Sequence, residues 1–319
     1  MQALRSMLRI VITAGLIVLL LGDPAWAWGP ATHVGLGETV LGQLALLPAA
    51  IAALLRRHAA SFLYGNIAAD VVFAKRLSRV KQFCHHWTTG FRLLDRAEND
   101  ASRAFAYGYL SHLAADTVAH GKYVPRQIIV SGVSVNFGHL YWELRADNAQ
   151  PDERWRRLDA VLHDDHAAQH DQLRTEIRDT LLSYAMNRAI FDGMNKVTVR
   201  PEFRWTITTW GRLSRHPLPN DVLSSYEGEA VDRILSVLTQ GNRSQVLRED
   251  PNGTSALMQL SVMRRESRQR ERAGESPLRR VAEASRTWAP SPRPSLLKHP
   301  TRSSADETKE LLLVQDGYS

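Results

Sequence analysis

The sequence predicts an all-α protein: one compact multi-helix domain over residues 28–245, after a leader (1–27) and before a disordered basic tail (246–319). Three observations carry this expectation. Apolar residues recur at three- and four-residue spacing through most of the chain. Gly and Pro break that pattern at intervals that suit helices. Only "QIIVSGVSVNFG", Gln127 to Gly138, is β-branched and glycine-broken, and it reads as an extended loop or a short strand pair.

The leader comes first. Arg5 and Arg9 precede an apolar run of twelve residues, Ile10 to Leu21. A bilayer span needs about 20 residues, so the run suits a secretory signal better than a membrane anchor. Ala25-Trp26-Ala27 has the small-x-small form of a cleavage site. Cutting there leaves 292 residues that begin with Trp28, exported to the periplasm or the medium. Cys84 is the single cysteine, so no internal disulfide can staple the fold.

Next, "LGQLALLPAAIAALLRRHAASFLYGNIAAD" is helical with a break at Pro48. "ASRAFAYGYLSHLAADTVAHG" predicts a helix from about Ala101 to His120, closed by Gly121. Another starts at "HLYWELRADNA". Residues 153–194 form one long amphipathic helix or a broken pair of them. Asn220 or Asp221 caps a further helix that Gly241 stops. From about Arg264 the chain is rich in Arg, Ser, Pro and Glu and predicts disorder or transient helix. The net charge of +7 has the same origin, since residues 264–302 hold eleven Arg and Lys against four Glu. The rest is near neutral, which argues against a nucleic-acid groove.

The chemistry concentrates in a few short stretches. His112, Asp116 and His120 follow an i, i+4, i+8 pattern that stacks them on one helix face among apolar neighbours. Such a stripe is costly to bury unless a metal or an ion pair satisfies it. His139 and Glu143 repeat the i, i+4 spacing, by which one helix offers two ligands to one ion. Asp70 ends an apolar helix in "YGNIAAD", and His85 and His86 form the doublet of "FCHHW". Singly, each of these is as well explained by a cap or a satisfied polar group. The run His163 to His170 reads as solvated surface, and Trp155, Trp205, Trp210 and Tyr226 as core. No glycine-rich phosphate loop or serine nucleophile elbow is present.

Taken in order, Trp28, His33, Asp70, His86, His112-x3-Asp116-x3-His120 and His139-x3-Glu143 resemble the zinc-dependent phospholipase C family, related to the fungal zinc-dependent single-strand nucleases. The resemblance covers Trp28 to about Asp147. It implies an all-α domain with three zinc ions at the base of a cleft. One zinc would be held by Asp70, His86, His112 and Asp116. A second would take the Trp28 amine and carbonyl, His33 and a bridging Asp116. The third would take His120, His139 and Glu143. His86 is preferred to His85 because the family's ligand is typically followed by an aromatic residue, here Trp87. In the best-known members five residues separate the central Asp from the next His, where here there are three. The implied activity is phosphodiester hydrolysis by metal-activated water, with Asp70 and Asp116 as catalytic carboxylates. The implied partner is phospholipid at a membrane surface, cleaved by a monomer. A nuclease or nucleotidase, or a non-catalytic zinc-stabilised exported protein, are the alternatives.

Overall fold

A computed structural model describes residues 28–72, 83–177 and 182–291. The protein is all-α, and no strand occurs among the described residues. The leader lies outside them, as do residues 292–319 of the expected tail.

The sequence around residue 110 has almost no polar face, and a helix apolar all round must be buried. Helix α5 (Asp100–Val118) is accordingly the hub, buried nearly throughout from Ala104. Asn99 caps it by accepting from the Ser102 N–H at 2.9 Å. The helices before it are α1 (Pro30–Leu41), α2 (Ala49–Arg57), α3 (Ala59–Ala68) and α4 (Trp87–Asp95). Helices α3 and α4 pack on the hub, as does α12 (Asn220–Gln240), with α1 across α3.

The α3–α5 crossing is backbone on backbone. A Cβ on Gly65 would lie 2.2 Å from the Phe105 carbonyl oxygen, and one on Gly108 would lie 2.0 Å from that of Phe62. No side chain fits at either position. Next to this crossing, Asn66 of α3 and the turn that follows α3, with Asp70, meet His112, one turn beyond Gly108 on α5.

Beyond α5 the structure departs from expectation. Gly121 does not close the helix. The chain runs through a π-turn (Ala119–Tyr123) into α6 (Val124–Ser131), which ends at Gly132 with φ of 71°. Helix α7 (Val135–Asn148) follows. The segment 127–138 is thus helical except for the link 132–134, where an extended loop or strands were expected. Ile128 and Ile129 are fully buried, so tertiary packing overrides their β-branched preference.

Residues 153–194, expected to form one helix or a broken pair, hold three among the described residues: α8 (Asp152–His163), α9 (Ala167–Glu176) and α10 (Tyr184–Thr198). Asp165 starts α9 by accepting from Ala167 N–H at 2.9 Å. Of the expected surface histidines only His163 is exposed. His166 stacks on Tyr64 at 3.7 Å between ring centroids. His170 bridges the Tyr64 and Tyr184 hydroxyls at 2.6 and 2.7 Å, and burial lowers its pKa to about 4. Trp155 and Tyr226 are core as expected, whereas Trp205 and Trp210 on α11 (Pro201–Leu213) are 61% and 39% exposed.

The expected disordered tail is corrected over 246–291. Helices α13 (Thr254–Arg272) and α14 (Pro277–Thr287) occupy it, and Leu260, Met263, Ala284 and Trp288 join the core. A narrow stripe, Ala256, Leu260, Met263 and Ser267, does the packing on an arginine-rich helix. Composition hid that stripe. Arg270–Glu283 and Arg280–Glu271 ion pairs clasp the two helices.

Because the α3–α5 contact has no room for a methyl group, Gly108→Ala is expected to cost at least the 1–3 kcal/mol typical of overpacking. Denaturant unfolding measures this, and unchanged stability would show the helices can move apart.

Candidate metal centre

The centre is assembled from five places in the chain. Helix α1 brings His33, just after the buried Trp28. The end of α3 brings Asp70, in a single 3-10 turn (Ala69–Val71). The stretch before α4 brings the doublet, α5 brings His112 and Asp116, and the π-turn and α7 bring His120, His139 and Glu143.

Asp116 sits at the middle, buried. Its Oδ2 is 3.1 Å from His112 Nε2, 3.2 Å from His85 Nε2 and 3.8 Å from His120 Nε2. Its Oδ1 is 3.4 Å from His33 Nε2. Asp70 Oδ1 lies 3.3 Å from His85 Nε2, and the Nε2 atoms of His85 and His112 are 3.2 Å apart. Beside this group, His139 Nε2 is 3.1 Å from His120 Nδ1 and 3.4 Å from Glu143 Oε1.

His86 does not join them. It is exposed, and its Nδ1 lies 3.1 Å from the Thr88 hydroxyl. His85 takes the place expected of His86. It belongs to a short 3-10 turn, Phe83–His85, held by the Tyr109 hydroxyl donating to the Cys84 carbonyl. Trp87 is only half-buried and turns its indole N–H to the Glu249 carbonyl. An aromatic residue after the doublet therefore does not pick out the inward histidine.

Around the cluster, partners fix how the donors face. His112 Nδ1 donates to the Asn66 carbonyl at 2.8 Å. With Nδ1 carrying the proton, Nε2 of the neutral ring turns its lone pair to the cluster. Burial, then the neighbouring His112, lowers the pKa of His33. Burial, then His120, holds His139 well below the usual range. For Asp116 burial alone acts upward, yet His112, His33 and His85 hold it well below the usual carboxylate range. At neutral pH these groups thus stand as two neutral imidazoles and a carboxylate, the forms a cation binds.

Two further features fit a metal. Asp116 Oδ1, both nitrogens of His33 and His139 Nδ1 are buried without a hydrogen-bond partner among the described residues, a costly state for apo protein. Donors about 2.0–2.1 Å from a tetrahedral zinc also stand about 3.3 Å apart, close to the separations above. Two groups, His33–His112–Asp116 and Asp70–His85–His112, each bring donor atoms within 4.8 Å of one another.

Asp147 was missed by the sequence reading as a site residue. Its Oδ1 accepts from the Thr32 N–H at 2.7 Å and the Thr32 hydroxyl at 2.9 Å, capping α1 from α7. The signal was available, since Asp147 extends the His139, Glu143 stripe by one more i+4 step. It ties the segment carrying Trp28 and His33 to the helix carrying His139 and Glu143. Burial raises its pKa to about 6, against the opposing Thr32 hydrogen bonds.

An all-helical domain with a buried nest of histidine and carboxylate donors is one that could hold metal ions. The family model "Zinc dependent phospholipase C" matches residues 32–191, half of the chain. The chain belongs to that family, and zinc is the metal the family implies. Comparison with curated proteins and with solved structures finds no match.

The doublet gives a clean test. His85→Ala is expected to lower zinc content and His86→Ala to leave it unchanged, by elemental analysis of each protein; the reverse result would restore His86. Asp147 gives a second. Its folded pKa lies above the ordinary carboxylate value, so the stability it lends at low pH is lost as pH rises from about 4 through about 6. Asp147→Asn keeps an acceptor without the charge. Its melting temperature relative to wild type should therefore climb across that window; a flat difference would show that burial of the charge costs little.

Proposed function

We propose that this chain is an exported zinc-dependent phosphodiester hydrolase, a phospholipase C that cleaves phospholipids at a membrane surface. The observation that carries the reading is Asp116: one buried carboxylate turns its two oxygens to different histidines, His33 on one side and His85 with His112 on the other. Such a carboxylate suits two adjacent cations.

One zinc would be held by Asp70, His85, His112 and the Oδ2 side of Asp116. A second would be held by His33, Asp116 and the Trp28 amine and carbonyl, the amine being created by cleavage after Ala27. A third would be held by His120, His139 and Glu143. Bound zinc lowers the pKa of water towards about 7 and neutralises charge on phosphoryl oxygens. Asp70, with its side chain 16% exposed, is the cluster carboxylate most open to solvent. It lines a cleft with Trp28, Pro30, Ile67, Phe191, Met194 and Asn195, where it can orient an attacking water and accept its proton. Phe191, Met194 and Ile67 make the wall beside it apolar and exclude bulk water.

Membership of the zinc-dependent phospholipase C family favours a phospholipid over a polyanion as substrate. A non-catalytic zinc-stabilised protein remains as the second reading.

The processed protein is expected to begin at Trp28, carry three zinc ions per chain and hydrolyse phosphatidylcholine and bis-p-nitrophenyl phosphate, with activity lost to a chelator. N-terminal sequencing, metal analysis and turnover check each point. Preference for single-stranded DNA would make it a nuclease. Zinc content without turnover on any of the three would favour the non-catalytic reading.

A further inference from the structure

Residues beyond 245 lie outside the matched family region, yet they reach the metal centre. The chain leaves α12, makes a short turn (Gln245–Arg248) and crosses behind the site before α13 begins at Thr254. Asn252 Nδ2 donates to the His85 carbonyl at 3.2 Å. Trp87 Nε1 donates to the Glu249 carbonyl at 2.9 Å. These two bonds hold the doublet stretch from its far side. Arg233 donates to the Thr117 hydroxyl at 2.7 Å and pairs with Glu249, joining the crossing segment to α5 beside Asp116.

Gly253 meets His120 directly. A Cβ there would lie 2.6 Å from His120 Cβ and 2.6 Å from its carbonyl oxygen, and the backbone has φ of +64°. Space and conformation both require glycine. The turn is fixed from within: Asp250 Oδ1 accepts from Asn252 N–H at 2.9 Å and Oδ2 from Thr254 N–H at 3.0 Å.

We propose that Glu249–Gly253 is a strap that positions His85 and His120, so that metal uptake and docking of α13 and α14 are one coupled equilibrium. The strap bonds the His85 backbone and backs the His120 backbone, so it acts on where the two rings point. Coupling runs both ways: if the docked strap favours the metal, the metal favours the docked strap. The proposal rests on the zinc reading above, and the two fail separately.

The test uses the full processed chain and its Asn252→Ala and Gly253→Ala variants. Zinc affinity is measured by competition with a chelator, helix content by circular dichroism, and cleavage within 246–291 by limited proteolysis with and without zinc. Groups that orient metal ligands are worth about 10–100-fold in metal affinity. Each variant is therefore expected to bind zinc at least tenfold more weakly with helix content retained. Added zinc should slow cleavage of 246–291 in wild type and less so in the variants. Should Gly253→Ala fail to fold, Asn252→Ala decides. Wild-type affinity in the folded variants, or cleavage indifferent to zinc, overturns the strap. Wild-type protein that holds no zinc overturns the metal reading instead.

Discussion

Two glycines touching across a helix crossing set the geometry of this protein. Gly65 and Gly108 let α3 and α5 approach until backbone meets backbone. One turn on, the Asn66 carbonyl is at hand for His112 Nδ1. Asp70 then lies 3.3 Å from His85. A wider crossing would separate these donors by the width of a side chain and dissolve the cluster. Beyond its first turn the hub helix turns no charged residue to solvent; its polar stripe, His112 and Asp116, is buried in the site.

The rest of the centre is held by contacts from far along the chain. Asp147 reaches back 115 residues to cap α1, and Arg233 links Thr117 with Glu249. Apart from the Arg233–Glu249 ion pair these are bonds to backbone or to hydroxyls, and none of them engages an imidazole of the centre. Burying Asp116 Oδ1, both nitrogens of His33 and His139 Nδ1 with no hydrogen-bond partner among the described residues is expensive on its own. It persists here because packing over-determines each ring and because a cation would satisfy all of them together.

Much of this was legible in the sequence, for identifiable reasons. The helical class follows from apolar spacing, and the stripe on α5 follows from its i, i+4, i+8 pattern. What failed was decided by tertiary contact. His85 and His86 are adjacent in sequence, and which one turns inward depends on Tyr109 holding the Cys84 carbonyl, a bond no local pattern shows. Ile128 and Ile129 prefer strands, yet a helix buries them fully. On α13, four small or apolar residues in helical register, Ala256, Leu260, Met263 and Ser267, sufficed to dock a helix whose second half is arginine-rich, and average composition could not reveal them. Trp205 and Trp210 went the other way, since aromatic content suggests core but not which face of a helix meets it.

The π-turn at Ala119–Tyr123 has its own consequence. Hydrogen bonds in such a turn reach back five residues instead of four, so the segment holds one residue more than a regular helix. His120 lies in it and faces His139 across 3.1 Å. The wide turn takes up its additional residue within about one revolution, so a regular helix one residue shorter would leave Val124 onward facing much as before. What the additional residue alters is local: it bulges the backbone where His120 stands, and without it that ring would be carried on an ordinary helical turn.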